Sequence, residues 1–196
     1  QLGSGFDRYQ LRFNFDQNLG NVFQIGASLN GSYSNRENPR AAALGNYVLP
    51  TAPIYLDDGS FHRVDAINGS TYNNPIAQDE LIINNTYQNR ALGNIYLQIS
   101  PIEGLIAKST FGFDITTVKQ NRYNSVDLPT NYEAARGGQA FINTSFATSI
   151  QNENTINYTK EIGKHDFNIL GGWTYQSYSM EDLDVEARGF SNDVTT

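Results

Sequence analysis

The chain has 196 residues, enough for one ordinary domain, with no cysteine, a net charge of -7 and an isoelectric point near 4.7. The missing cysteine excludes a disulfide framework and any Cys-based zinc site, and the acidic balance argues against a nucleic-acid binder, which carries a basic patch. No apolar run is long enough for a membrane-crossing helix, but a barrel strand needs only about 10 residues, of which alternate side chains meet lipid.

The composition suits that second way of crossing: 12 tyrosines, 11 phenylalanines and only 17% charged residues. Residue 1 lacks the charged stretch and apolar run of a secretory signal, and the polar residues from Ser191 to Thr196 read as a cut in mid-loop. The expectation is an internal segment, or a mature chain with a further part.

The organising signal is period-two alternation. Over residues 8–17, Tyr9, Leu11, Phe13 and Phe15 alternate with Gln10, Arg12, Asn14 and Asp16, which gives a strand one apolar and one polar face. Asn18-Leu19-Gly20-Asn21 is a tight turn, because glycine and asparagine tolerate the positive φ that such turns need. A second strand follows over 22–36, with Phe23, Ile25, Ala27, Leu29 and Tyr33 on one face and Gln24, Ser28, Asn30 and Ser32 on the other.

After a long link over 37–88 the unit recurs. Over 89–100, Ala91, Ile95, Leu97 and Ile99 oppose Arg90, Asn94, Tyr96 and Gln98; Pro101-Ile102-Glu103-Gly104 turns the chain. Over 105–119, Leu105, Ala107, Phe111, Phe113 and Ile115 oppose Lys108, Thr110, Asp114 and Thr116. A second long link spans 120–147. The third hairpin is expected over 148–160 and 165–180, turning at Glu161-Ile162-Gly163-Lys164. Its apolar set is Ile156, Tyr158, Phe167, Ile169, Trp173 and Tyr175, with Asn152 and Asn154 as intruders on the same face.

The expected fold is therefore all-β: about six antiparallel strands in three hairpins, a segment of a transmembrane β-barrel. Tight turns within hairpins and long links between them match periplasmic turns and extracellular loops, and soluble domains rarely carry irregular links of such length. A tilted strand advances about 2.5 Å per residue along the membrane normal, so Phe23 and Tyr33 stand about 25 Å apart, the height of an apolar band with a ring at each border. Tyr9 with Phe15, and Phe167 with Tyr175 or Tyr178, suggest the same two belts. A soluble β-sandwich also alternates, but its strands average about 5 or 6 residues, shorter than these.

The residues also carry a family likeness. Tyr9 to Gln17 with Ile25 to Asn30, Asn89 to Leu97 with Gly104-Leu105 and Phe111 to Asp114, and Glu153 to Tyr158 with Gly163 to Asn168 and Gly171-Gly172 resemble barrel hairpins of SusC/RagA-type outer-membrane proteins. Asp58-Gly59-Ser60-Phe61 and Asn74-Pro75 fit the same family, and the likeness runs in order along nearly the whole chain. It implies a 22-stranded barrel with an N-terminal plug, energised through TonB and lidded by a SusD-like surface lipoprotein, importing oligosaccharides or peptides. The plug and the TonB-contact segment are not in this sequence. Another outer-membrane barrel, an adhesin or secretion component, would use similar hairpins, and a soluble carbohydrate-binding β-domain is the reading from a different class.

No catalytic constellation stands out, so the chain is not expected to be an enzyme. His62 and His165 lie in a long link and beside a turn, which opposes a shared metal site. Asp57-Asp58-Gly59 hints at calcium but lacks the spaced ligands of a calcium loop and reads first as an Asp-Gly turn. No resident cofactor is expected. Gly137-Gly138 is a loop hinge, and the Asn-X-Ser/Thr triplets at Asn68 and Asn143 are compositional.

Lumen-facing candidates are Arg12, Asn14, Asp16, Gln24, Asn30, Arg90, Asn94, Gln98, Lys108 and Asp114, which would hydrate the pore, bond a plug or touch a passing solute. The first long link offers Tyr47, Tyr55, Phe61 and Tyr72, rings that would stack on sugars or bind the loop to its neighbours or to a lid. Asn38 to Gly45 reads as a short helix with an Asn cap and Pro in its first turn.

Overall fold

The computed structural model describes residues 4–38, 48, 49, 51–65, 71, 72, 74–128, 137–190 and 193. One six-stranded antiparallel sheet takes up most of them. Its strands are β1 (Phe6–Leu19), β2 (Phe23–Glu37), β5 (Ile82–Ile102), β6 (Leu105–Asn124), β7 (Gly138–Ile162) and β8 (His165–Phe190), adjacent in that order. Between β2 and β5 lie a two-stranded ribbon, β3 (Val64–Asp65) with β4 (Thr71–Tyr72), and the helix α1 (Pro75–Leu81).

Turn chemistry sets the hairpin registers. Gly20, Gly104 and Gly163 have φ of 69°, 81° and 68°, the left-handed region that glycine enters without a Cβ penalty. All three turns lie at one end of the sheet, the turn end, and the links lie at the other, the loop end. The ladder then runs unbroken except for an irregularity between Ile99 and Ile102 beside the second turn and another at Gly138.

The sheet has no second layer. Among the described residues only Ala77 and Leu128 are buried apolar side chains, both at the loop end, while Phe13, Phe111 and Trp173 are 55%, 45% and 62% exposed. A sandwich would pack those rings inside. With one face apolar, the opposite face polar and the sheet left open, the chain is a segment of a barrel wall.

The strands run longer than the alternation predicts. β5 begins at Ile82 instead of 89, β6 continues to Asn124, β7 starts at Gly138 instead of 148, and β8 reaches Phe190 instead of stopping near 180. The parts read as links over 82–88, 120–124 and 138–147 are ladder. Over 82–88 and 120–124 both faces carry Asn, Gln, Thr or Arg, and no side chain pattern marks them. Over 139–147 Ala140, Ile142 and Phe146 do alternate with Gln139, Asn143 and Ser145, interrupted by Phe141 and Thr144. Past 180 Leu183, Val185 and Ala187 alternate with Asp182, Asp184 and Glu186, a pattern missed in the sequence. All these parts are held by pairing with one another: Tyr87 opposes Lys119, Asn143 opposes Gln120, and Asp184 opposes Asn143.

At the loop end α1 is capped by Asn74, whose side chain accepts from the Ile76 amide at 3.0 Å, with Pro75 in the first turn. The Asn74 side chain also donates to the Ile54 carbonyl at 2.7 Å, and the His62 amide reaches the same oxygen at 2.9 Å. The helix expected from Asn38 lies, apart from Asn38, outside the described residues; Asn38 itself donates to Thr86 Oγ1 at 2.8 Å.

Asp193 clasps the end of the chain to the segment after β6. Its carboxylate accepts from the Tyr123 hydroxyl at 2.7 Å, from the Val126 amide at 3.1 Å and from the Ser125 hydroxyl. Burial pushes this carboxyl up, but the Ser125, Tyr123 and Val126 donors outweigh it and hold the group below its ordinary 3.8. A depressed folded value means the clasp contributes fully above the unfolded value and is lost as pH falls through the folded one. Protection of the Val126 amide, its exchange relative to the intrinsic rate at each pH, should therefore hold from pH 5 to 7 and fall only below about pH 4, and Asp193→Asn should remove that pH step.

Candidate functional site: the polar wall and its loop end

Cross-strand pairing puts opposed residues on the same face, so the register sorts side chains without ambiguity. One row joins Arg12, Asn30, Leu92 and Asp114, a second Asn14, Ser28, Asn94 and Gly112, a third Asp16, Gly26, Tyr96 and Thr110, and a fourth Gln24, Gln98 and Lys108. All ten residues expected to face a lumen thus share one face with each other, Arg90 entering through Ser32 and Thr116.

Several are tied together. Gln10 donates to Asn30 at 3.1 Å, and Ser28 donates to Asn14 at 2.9 Å. Arg90 forks onto Asp114 through Nε at 3.0 Å and Nη2 at 2.6 Å. Both partners are substantially exposed, so this pair contributes at most about 1 kcal/mol.

Tyr96 lies flat over Gly26, where a side chain would collide with its ring. Its hydroxyl donates to Asp16 at 2.5 Å, and the Lys108 ammonium sits 4.2 Å from its ring centre. One ring thereby braces four strands, β1, β2, β5 and β6.

The opposite face is apolar over one band: Tyr9 to Phe15, Phe23 to Tyr33, Ala91 to Ile99, Leu105 to Ile115, Ile150 to Tyr158 and Phe167 to Tyr175, taking alternate residues. Tyr9 and Tyr33 pair and stack at 6.3 Å on its loop-end border. Tyr178 does not belong to this belt. It opposes Ser149 on the polar face, and its hydroxyl meets the Met180 sulfur at 3.4 Å, so Tyr175 is the border ring of β8.

Asn152 and Asn154 do fall on the apolar face, opposite Tyr175 and Trp173. They satisfy each other: Asn154 donates to Asn152 at 2.7 Å, and Asn152 donates to the Thr110 carbonyl at 3.2 Å. Internal bonding of this kind lowers the cost of an amide in hydrocarbon.

Charge divides the polar face. On β1, β2, β5 and β6 it carries Arg8, Arg12, Arg36, Arg90, Lys108 and Arg122 against Asp16 and Asp114. On β7 and β8 it carries Glu153, Glu161, Asp166, Asp182, Asp184 and Glu186 against Arg188. Glu186 pairs with Arg188, and Asn143 donates to Asp184. This split was missed in the sequence, because it shows only once the register assigns a face to residues beyond the apolar band.

Of the four loop rings, Tyr47 lies outside the described residues, and Tyr72 is described only as backbone, opposite Val64. Tyr55 and Phe61 are brought together across an isolated bridge, rings 5.1 Å apart. The turn between them is fixed by Asp58, whose carboxylate accepts from the Ser60 hydroxyl at 2.6 Å and amide at 3.0 Å and is thereby held below the usual carboxylate range. This is an Asx-type turn. Among the described residues no group of three His, Asp or Glu could hold a metal ion. His165 stands at the turn end against Phe167 (6.4 Å between ring centres), and His62 at the loop end.

No family model matches the chain. Among curated relatives, TonB-dependent receptor P26 of Formosa agariphila is 40% identical over 98% of this chain, and TonB-dependent receptor P39 of the same organism 28% over 97%. The chain spans only 20% and 18% of their lengths. Among solved structures, the RagAB peptide transporter superposes with a TM-score of 0.79 at 22% identity, over 97% of this chain and 22% of that one. Two-faced sheet, turn-and-loop asymmetry and relatives converge: the chain is a segment of an antiparallel transmembrane β-barrel wall, homologous to about a fifth of a TonB-dependent receptor.

Proposed function

We propose that the chain forms part of the wall and the extracellular rim of an outer-membrane transporter that imports oligosaccharides or peptides. The turn end faces the periplasm and the loop end the outside. The apolar band contacts outer-membrane lipid, and the polar face lines the lumen. Energy comes from TonB through a plug outside this chain, and a SusD-like surface lipoprotein covers the rim. The segment does no covalent chemistry and needs no cofactor.

The observation that carries this reading is the sustained two-faced ladder: rings and aliphatics exposed on one side, amides and charges on the other, in a chain whose curated relatives are TonB-dependent receptors. Arg12, Asn14, Asp16, Gln24, Asn30, Arg90, Asn94, Gln98, Lys108 and Asp114 hydrate the lumen and bond the plug, and Tyr55 and Phe61 stiffen the rim under the lid.

The full-length protein tests it. Expressed in a host outer membrane, it should fractionate with that membrane and require detergent for extraction. Deleting the TonB-contact segment should abolish accumulation of a labelled oligosaccharide or peptide while leaving surface binding intact. Accumulation that is indifferent to that deletion would remove the transport mechanism, and extraction by buffer alone would remove the membrane reading.

A further inference from the structure

We propose that the wall between β5 and β7 holds a subsite for an ammonium or guanidinium group on the solute, with Gly112 as its floor and Glu153 as its counter-charge. The proposal deepens the transport reading and rests on it.

The polar face is hollowed here by a cavity of about 390 Å³, bordered by Asn94, Thr110, Asp114, Gln151 and Glu153 around Gly112. Gly112 is not required by the wall itself. It has no positive φ, and a Cβ built on it would meet nothing nearer than the Gly93 carbonyl at 3.7 Å, ordinary contact. Gly26 and Gly93 differ: there a Cβ would strike the rings of Tyr96 and Phe113. A strand glycine costs about 0.5–1 kcal/mol relative to alanine. Gly31 and Gly171 are equally uncrowded but lie on the apolar face, whereas Gly112 on the polar face leaves room for a solute group to approach the backbone closely.

The cavity's charges give the sign of what approaches. Asp114 is neutralised by the Arg90 fork. Lys108, the other nearby cation, is turned toward β5 onto the Tyr96 ring. The exposed Glu153 side chain makes no hydrogen bond or ion pair with any described residue. The hollow therefore offers one uncompensated carboxylate with amide and hydroxyl partners beside it, a match for a cation carrying several N–H donors. A second hollow, of about 200 Å³, lies higher on the same wall beside Asp182 and Asp184.

Two solutes supply this chemistry: a peptide with a lysine or arginine side chain, and an oligosaccharide of amino sugars. Purified full-length transporter would be titrated with two pairs of probes, a lysine octapeptide against its ε-acetyl-lysine twin and a glucosamine tetramer against its N-acetylated twin. The expected result is about tenfold tighter binding of one charged member over its twin. The pair that shows the gap identifies the source.

Glu153→Gln should abolish the gap and leave the acetylated twin unchanged. Gly112→Leu should weaken the charged probe by filling the hollow, with a thermal melt confirming that the barrel is intact. Equal binding within both pairs, no binding of any probe, or a gap that survives Glu153→Gln would overturn the subsite. Energised uptake, assayed separately in cells, reports on the transport reading: lost uptake with a persisting gap sinks transport and keeps the subsite, and the reverse keeps transport alone.

Discussion

Phe111→Arg should destabilise the full-length protein by about 2–4 kcal/mol in a bilayer, whereas Thr174→Arg should change it by less than about 0.5 kcal/mol. Phe111 lies near the middle of the apolar run of β6, in a row with Ile95 and Ala27. A guanidinium there would enter hydrocarbon with little length to reach the headgroups. Thr174 opposes Glu153 on the other face, where water and a carboxylate receive the same group. Urea unfolding from lipid vesicles measures both. Equal costs would mean that the two faces do not see different solvents.

The second large effect is expected at a turn. Gly104→Ala should cost several kcal/mol and disturb the β5–β6 register, while Gly163→Asn should be nearly neutral. Both glycines have positive φ, 81° and 68°, and alanine pays about 1–2 kcal/mol in that region. At Gly104 the added Cβ would also collide with the Thr159 carbonyl oxygen, backbone that cannot swing aside. Overpacking of that kind adds about 1–3 kcal/mol. The Thr159 amide bonds to the Gly104 carbonyl at 2.8 Å, so the strain would pass to β7. Gly163 meets nothing within 4 Å, and asparagine tolerates the left-handed region. The same unfolding assay, with amide exchange at Thr159, separates the two; matching losses would show that φ alone decides.

The membrane-embedded part of each strand was legible because lipid and lumen impose opposite demands on neighbouring side chains. Phe13 beside Asn14, or Phe113 beside Asp114, records two solvents in adjacent letters. Where both faces meet water the record stops. Lys119 to Asn124 pair as regularly as the rest, yet nothing in their composition distinguishes ladder from loop. Leu183, Val185 and Ala187 against Asp182, Asp184 and Glu186 did carry the alternation and were missed. Asn154 was a misleading letter for the opposite reason: its polarity is discharged by Asn152 one turn of the pleat away, a compensation visible only with side chains in place. Asn74-Pro75 falls within the expected long link, yet it is a cap followed by proline at the head of Ile-Ala-Gln-Asp-Glu-Leu, and α1, which was missed, begins there. That the ten polar residues share one face was readable from parity alone. The uncompensated charge of Glu153 was not, because it depends on which way Arg90 and Lys108 lean.

β8 continues to Phe190, about fifteen residues beyond its last border ring, and β7 accompanies it. At about 2.5 Å per residue the paired strands rise roughly 35 Å beyond the edge of the apolar band. Hydrogen-bonded ribbon of that height is a stiff chimney. A soluble protein seated on its lip would be held clear of the crowded saccharide coat of the cell surface, and the lip itself would keep its shape when nothing is seated there.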